Sequence, residues 1–269
     1  MGNDPVAQLA EQKTLNFCVV GSSPTWVMNY KLNFIRRLIK MLNDFPKIRC
    51  PFIRKDFDVN ISDFEKYGHS LKLRSPKAYL VIPEVNPGYE WVFESENVVA
   101  IEKLDGSNVK LETKKGRLVN LQNRKNIIDP LQIVKGKSFI LNGIFEAIGK
   151  GYVKEDGIQT GELIGKKVQA NPYKLNGHLW YPFTKSFKHL SYRSFHEHDR
   201  NFDNWNSWFK DYLVSRFATK RGHKDIFAEG VVFYNMKRKA EGKVYMAKLR
   251  RDMFEWFYSD KIEIYGYEY

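Results

Sequence analysis

Cysteine is scarce in this chain. Cys18 and Cys50 are the two present among 269 residues, and no metal-ligand spacing relates them. That excludes a disulfide framework and points to a reducing compartment, here expected to be the cytoplasm. Long apolar runs are missing too. No stretch approaches the roughly 18 apolar residues that a membrane span requires, so no membrane partner is expected. The N-terminus has no clean apolar core of the kind a signal peptide carries. His196 and His198 lie close together, but no acid or cysteine at ligand spacing joins them, which argues against a histidine metal centre. Acidic side chains are outnumbered, 31 against 44 lysines and arginines, leaving a net charge of +13. A pI near 9.5 with 15% aromatic residues suits a polyanionic partner. Nothing in the pattern indicates an obligate protein partner.

Three stretches organise the chain. Residues 1–27 are unusual: Val6-Ala7-Gln8-Leu9-Ala10-Glu11-Gln12 back-translates to a tRNA D-arm and Val20-Gly21-Ser22-Ser23-Pro24-Thr25 to a T-arm, in that order. The segment reads as a tRNA gene translated as protein, with Met28 as the start. A genuine disordered leader is the other reading, and both leave the segment outside the fold. Residues 28–76 read as a helical and irregular N-terminal segment, with a helix at Tyr30–Leu42 followed by charged, irregular chain from 43 to 76. Residues 77–269 carry the main domain. Strand-like runs occupy Ala78–Val85, Glu90–Glu94 and Asn97–Leu104. Asn108–Thr113 and Arg117–Asn123 flank Lys114-Lys115-Gly116 and predict a hairpin. Ile140, Ile144 and Ile148 predict a helix over 139–148. Trp205, Trp208, Phe209, Tyr212, Leu213 and Phe217 recur at helical spacing over 203–218, an aromatic stripe expected to be mostly core.

The chemistry begins at Glu102-Lys103-Leu104-Asp105-Gly106, which follows the apolar run Val98–Ile101. A lysine that attacks phosphorus must lose its proton, although its free pKa is about 10.4, and neighbouring cations and desolvation are the usual devices. If the strand continues, Lys103 and Asp105 share a face. Gly106 permits a sharp exit. Downstream come Gly161-Glu162-Leu163-Ile164-Gly165, Glu229-Gly230-Val231-Val232-Phe233 and Lys248-Leu249-Arg250. Glu229–Tyr234 and Lys243–Arg250 should pair around a polar turn at Lys237–Gly242. A register centred near Lys239-Ala240 would set Glu229 opposite Arg250 and Val231 opposite Lys248. One face would then present an acid suited to a divalent cation and two bases suited to phosphates.

In order and spacing these segments resemble motifs I, III, IV and V of the covalent nucleotidyltransferases, the superfamily of ATP-dependent ligases and capping enzymes. The resemblance covers about Ala78 to Phe254. The run Gly161–Pro172, with Lys166, Asn171 and Pro172 after motif III, is similar to the small single-domain 5′–3′ RNA ligases of the RNA-ligase-2-like branch. Only 19 residues follow Arg250, too few for a C-terminal OB domain. Arg250 itself stands where lysine is commoner.

The resemblance implies an α+β nucleotidyltransferase (ligase adenylation) domain, two antiparallel sheets flanked by helices, with ATP in the cleft between them. It implies Lys103 as the nucleophile, Lys248 and Arg250 as catalytic phosphate clamps, and Glu229 as the ligand of a magnesium ion. Glu102, Asp105, Arg124, Glu162 and Lys248 are expected to hold the nucleotide. An aromatic of Trp180-Tyr181-Pro182-Phe183, preferentially Phe183, is expected to stack on adenine. The implied substrates are RNA ends (nicked duplex, broken tRNA or single strand), contacted in part by the basic and aromatic stretch from Lys185 to Lys224. Two other functions stay open: a covalent nucleotidyltransferase of another kind, such as a guanylyltransferase, and a non-catalytic nucleic-acid-binding relative.

Overall fold

β-branched and aromatic residues crowd the segments that pair into sheets, as their fit to a pleated, half-buried surface requires. A computed structural model describes residues 42, 45–129, 138–197, 199–240 and 245–269. Asn43–Tyr269 forms one compact unit, and the elements below belong to it. In chain order the strands are β1 (Phe52–Asp58), β2 (Lys77–Val85), β3 (Val98–Lys103), β4 (Ser107–Lys114), β5 (Arg117–Asn123), β6 (Asn126–Ile127), β7 (Gly157–Gly165), β8 (His178–Pro182), β9 (Gly230–Asn235) and β10 (Met246–Arg250). They build a five-stranded sheet ordered β6-β5-β4-β7-β8, a three-stranded sheet ordered β10-β9-β3, and a two-stranded ribbon of β1 and β2. These strands pair antiparallel throughout.

The two larger sheets are the expected ones, and the ribbon is an addition. Chain read as irregular between 43 and 76 contains β1 and a helix at Ile61–Tyr67, which Asn60 caps by accepting from the backbone of Ser62 and Asp63. β1 escapes a pattern search because Phe-Ile-Arg-Lys-Asp-Phe-Asp buries only Phe52 and Phe57. Glu90–Glu94 is not a strand: Trp91–Glu94 closes into one helical turn, with Glu94 donating to the carbonyl of Glu90 at 3.1 Å. Its aromatic, β-favouring composition is overridden by local bonds. The hairpin at β4–β5 forms as expected, with Lys115 and Gly116 both at positive φ, the geometry of a two-residue turn. The helix expected at 139–148 spans Ser138–Gly149 and buries Ile140, Gly143, Ile144 and Ala147, with Ile148 turned outward. The helix expected at Tyr30–Leu42 falls, but for Leu42, outside the described residues, as do residues 1–27.

The three-stranded sheet is the partition of the core. Along β3, Val99 and Ile101 pack on the side of the five-stranded sheet, with Val109, Leu111, Leu163 and Trp180. Val98 and Ala100 face the other way, into an aromatic layer with Phe195, Trp205 and Phe233. Trp205 stacks on Phe233 at 4.8 Å with the rings 9° apart. The run expected as one helix over 203–218 is broken into a helix at Phe202–Ser207, a π-helical turn at Trp208–Tyr212, and a short helix at Arg216–Thr219.

Candidate active site

β3 belongs to the three-stranded sheet and β4 to the five-stranded one, so Leu104-Asp105-Gly106 carries the chain from one sheet to the other. Gly106 is there because the crossing is tight: a Cβ would stand 2.4 Å from the carbonyl oxygen of Leu163. Lys103, the last residue of β3, therefore stands where the two sheets part. A cleft of about 570 Å³ opens at this point, lined among others by Lys103, Asp105, Arg124, Glu162, Glu229 and Lys248.

Strand alternation sorts the charges. Lys103 pairs with Gly230 and Ile101 with Val232 across β3–β9. Arg250 pairs with Gly230 and Lys248 with Val232 across β9–β10. The ranks read Lys103–Gly230–Arg250 and Ile101–Val232–Lys248, all on the cleft face, since directly opposed residues point the same way. This register is one residue away from the expected one, which had Glu229 opposite Arg250. Glu229 precedes the strand, and its carboxylate turns into the cleft. Its Oε2 accepts from Lys103 Nζ at 2.5 Å and its Oε1 lies 3.6 Å from Arg250. Gly230 leaves the middle of the first rank bare, and a Cβ there would meet the Leu249 carbonyl oxygen at 2.2 Å. The polar turn expected at Lys237–Gly242 begins instead as a helical turn, Met236–Ala240, and residues 241–244 lie outside the described residues.

Glu102 also lines the cleft, but its carboxylate is engaged elsewhere. As the neighbour of Lys103 on a strand it projects from the opposite face, where it is 3% exposed. Its two carboxylate oxygens accept from the Ser215 hydroxyl at 2.5 Å and the Phe217 backbone at 2.8 Å. The side chain ties β3 to the Arg216–Thr219 helix, with a hydrogen bond on each oxygen. Burial pushes its pKa up to about 7, against the pull of those hydrogen bonds.

The other acids share the cleft and feel one another. Burial, with Glu229 and Asp105 nearby, pushes Glu162 up to about 8 against the pull of Lys103 and Arg124. Burial and Glu229 raise Asp105 as well. Burial lowers the pKa of Lys248, and the charges of Arg250 and Lys103 act in the same direction. Arg124 sits beyond β5 in the left-handed region, φ 51°, at the cleft's edge. Of the three aromatics in 180–183, Trp180 is fully buried and donates to the Val109 carbonyl, and Tyr181 packs on Tyr152 and Phe217. Phe183 is the one that lines the cleft.

No protein-family model and no curated protein matches the chain. Among solved structures it is similar to a Naegleria gruberi RNA ligase with PPi, at 14% identity over 82% of this chain and 60% of that one, with a TM-score of 0.43. A mutant of that ligase with ATP and Mn and another with AMP and Mn each match at 13% identity, over 82% of this chain and 61% of theirs, with a TM-score of 0.40. The chain thus spans about 60% of the length of the ligase it is similar to.

Some residues at the cleft carry no motif signal. Phe45, Pro46, Lys47 and Ile48 form one wall, Phe45 meeting Phe183 edge-on at 5.3 Å. They are fixed because Lys248 donates its backbone N–H to the carbonyl of Arg49, a bridge alongside β10. Asp252 lies 3.1 Å from Arg250, and continuing the alternation 248, 250, 252 would have found it. Tyr173 accepts from the Asp105 backbone at 2.8 Å. It is delivered by Asn171-Pro172, whose asparagine exchanges hydrogen bonds with Leu175. Among the described residues no three His, Cys, Asp or Glu side chains gather as a metal-binding group, and no helix is long and apolar enough to cross a membrane.

Proposed function

We propose that this chain is an ATP-dependent RNA ligase that joins a 5′-phosphate to a 3′-hydroxyl through a lysyl-AMP intermediate. The observation that carries the reading is the Lys103–Glu229 contact of 2.5 Å at the parting of the sheets, with Lys248 and Arg250 on the same face. In this reading Glu229 takes the proton that Lys103 must lose. The freed amine attacks the α-phosphorus of ATP, the Nζ–P bond forms, and the bond to the β-phosphate oxygen breaks to release pyrophosphate. Lys248 and Arg250 meet the charge that grows on the phosphate oxygens. In the second step a 5′-phosphate oxygen of RNA displaces Lys103 from phosphorus, and the lysine regains its proton. In the third, the 3′-hydroxyl attacks that 5′-phosphate, its proton leaves, and AMP departs.

Phe183 would stack on adenine, Glu162 would bind the ribose, and Arg124 at the rim would reach the ribose or the RNA end. A divalent ion suits the acids present: the charge of Glu229 helps to raise the pKa of Asp105 and of Glu162, a repulsion that added positive charge relieves. With few protein ligands assembled among the described residues, such an ion would be held by Glu229 together with phosphates and water, which favours magnesium. When bound, it would neutralise triphosphate charge.

The test offers the full chain α-labelled ATP or GTP with magnesium, then 5′-phosphorylated RNA as nicked duplex, broken tRNA and single strand. Labelled protein with ATP and a sealed product from at least one RNA are expected. Labelling by GTP alone would make it a guanylyltransferase, and no labelling by either would make it a non-catalytic relative.

A further inference from the structure

The described residues enclose more than one cavity. One of about 960 Å³ lies beyond the aromatic layer, on the opposite side of the three-stranded sheet from the cleft, and the two share no lining residue. Phe233 and Trp205 connect it to the sheet: Phe233 alternates with the cleft-lining Val232 on β9, and Trp205, stacked on Phe233, forms part of the cavity wall.

Its chemistry is segregated. Trp208 is half-buried and wedged edge-on against Tyr192 at 5.5 Å, while Tyr212 at the lip is 72% exposed. Both belong to the π-helical turn Trp208–Tyr212, which interrupts what the spacing alone reads as one helix. Such turns are rare and recur at functional sites, because widening the helix re-aims its side chains. Arg216, Lys220 and Lys224 line the cavity, and neither lysine has an acidic partner among the described residues. Glu197 and Asp199 supply acceptors in the same wall.

We propose that this cavity is a second nucleic-acid site, taking one unpaired nucleotide of an RNA strand. The base stacks against Trp208 and Tyr212, the phosphate lies on Lys220 and Lys224 beside Arg216, and the two acids accept from base amino groups. The volume fits a small flat group in a concave pocket better than the surface of another protein. Aromatic faces with cations beside them are how single strands are held without a fixed sequence. The inference rests on the reading of RNA as the substrate.

The experiment measures equilibrium binding of a 5′-phosphorylated single-stranded oligoribonucleotide to the full chain across a range of salt. It compares wild type with Tyr212→Ala and with the double variant Lys220→Ala/Lys224→Ala. All three substituted residues are exposed. Loss of the stacking tyrosine is expected to weaken binding about 5- to 150-fold. Loss of the two lysines is expected to flatten the log–log salt slope by about 1.4. Protein–AMP formation from ATP should stay at the wild-type level in both. Wild-type affinity and slope in the variants would overturn the proposal. So would a change confined to the oligomeric state in sedimentation equilibrium, since a second copy of the chain would then cover the cavity. If wild type binds RNA but never takes up AMP, the enzymatic reading fails while the cavity comparison still stands.

Discussion

Glu102 and Lys103 are adjacent in sequence and serve opposite faces of one strand. The lysine looks into the cleft, while the glutamate is sealed against Ser215 and Phe217. A carboxyl with a folded pKa of about 7 and an unfolded value near 4.3 keeps its proton in the folded state over a pH range where the unfolded chain has released it. Its contribution to stability is therefore fully present below about pH 4 and is lost as pH rises through 7. Glu162, at about 8, acts in the same direction. Urea unfolding at pH 5 and pH 8 is expected to show the wild type less stable at pH 8. Glu102→Gln, which cannot ionise, should shrink that difference by on the order of 1–3 kcal/mol. An unchanged difference in the variant would mean that Glu102 does not titrate in the folded protein. Alternation alone was enough to assign Glu102 to the rear face, because neighbours on a strand point apart. The motif drew attention to the acid beside the lysine, and the period of the strand decides where it goes.

At the scale of elements, the β9–β10 pairing sets the cleft face, and Gly230 fixes how closely the strands approach. A Cβ at that position meets the backbone of Leu249 and Arg250, which cannot rotate away as a side chain could. Gly230→Ala should cost about 1–3 kcal/mol and also slow protein–AMP formation, since Lys103 and Arg250 are its cross-strand partners. A thermal melt beside a single-turnover labelling assay checks both. Wild-type behaviour in the two together would mean the strands can separate without disturbing the site. The hairpin was legible from its two apolar runs, and its register was not, because a shift of one residue depends on where the chain enters the strand at Gly230. The β1–β2 ribbon and the wall at Phe45–Ile48 were illegible for another reason. β1 buries few residues, and the wall is held by backbone bonds to β10 that leave no periodic mark. The aromatic stripe was legible as core, but the π turn within it was not, since spacings of three and four residues do not announce a widened turn.

At the scale of the whole molecule, a chain of net charge +13 brings Asp105, Glu162 and Glu229 to the parting of two sheets and presents lysines and aromatics in a separate cavity. The proposed reaction runs through one covalent bond, between Lys103 Nζ and the α-phosphorus of ATP. The direct measurement is intact-mass analysis of the full chain after incubation with ATP and magnesium, followed by peptide mapping of the modified residue. One AMP per chain is expected, on Lys103, through a linkage that alkali leaves and mild acid cleaves, as a phosphorus–nitrogen bond requires. Lys103→Ala and Lys103→Arg should carry none. Adenylylation at any other residue, or its persistence in either variant, would contradict the account.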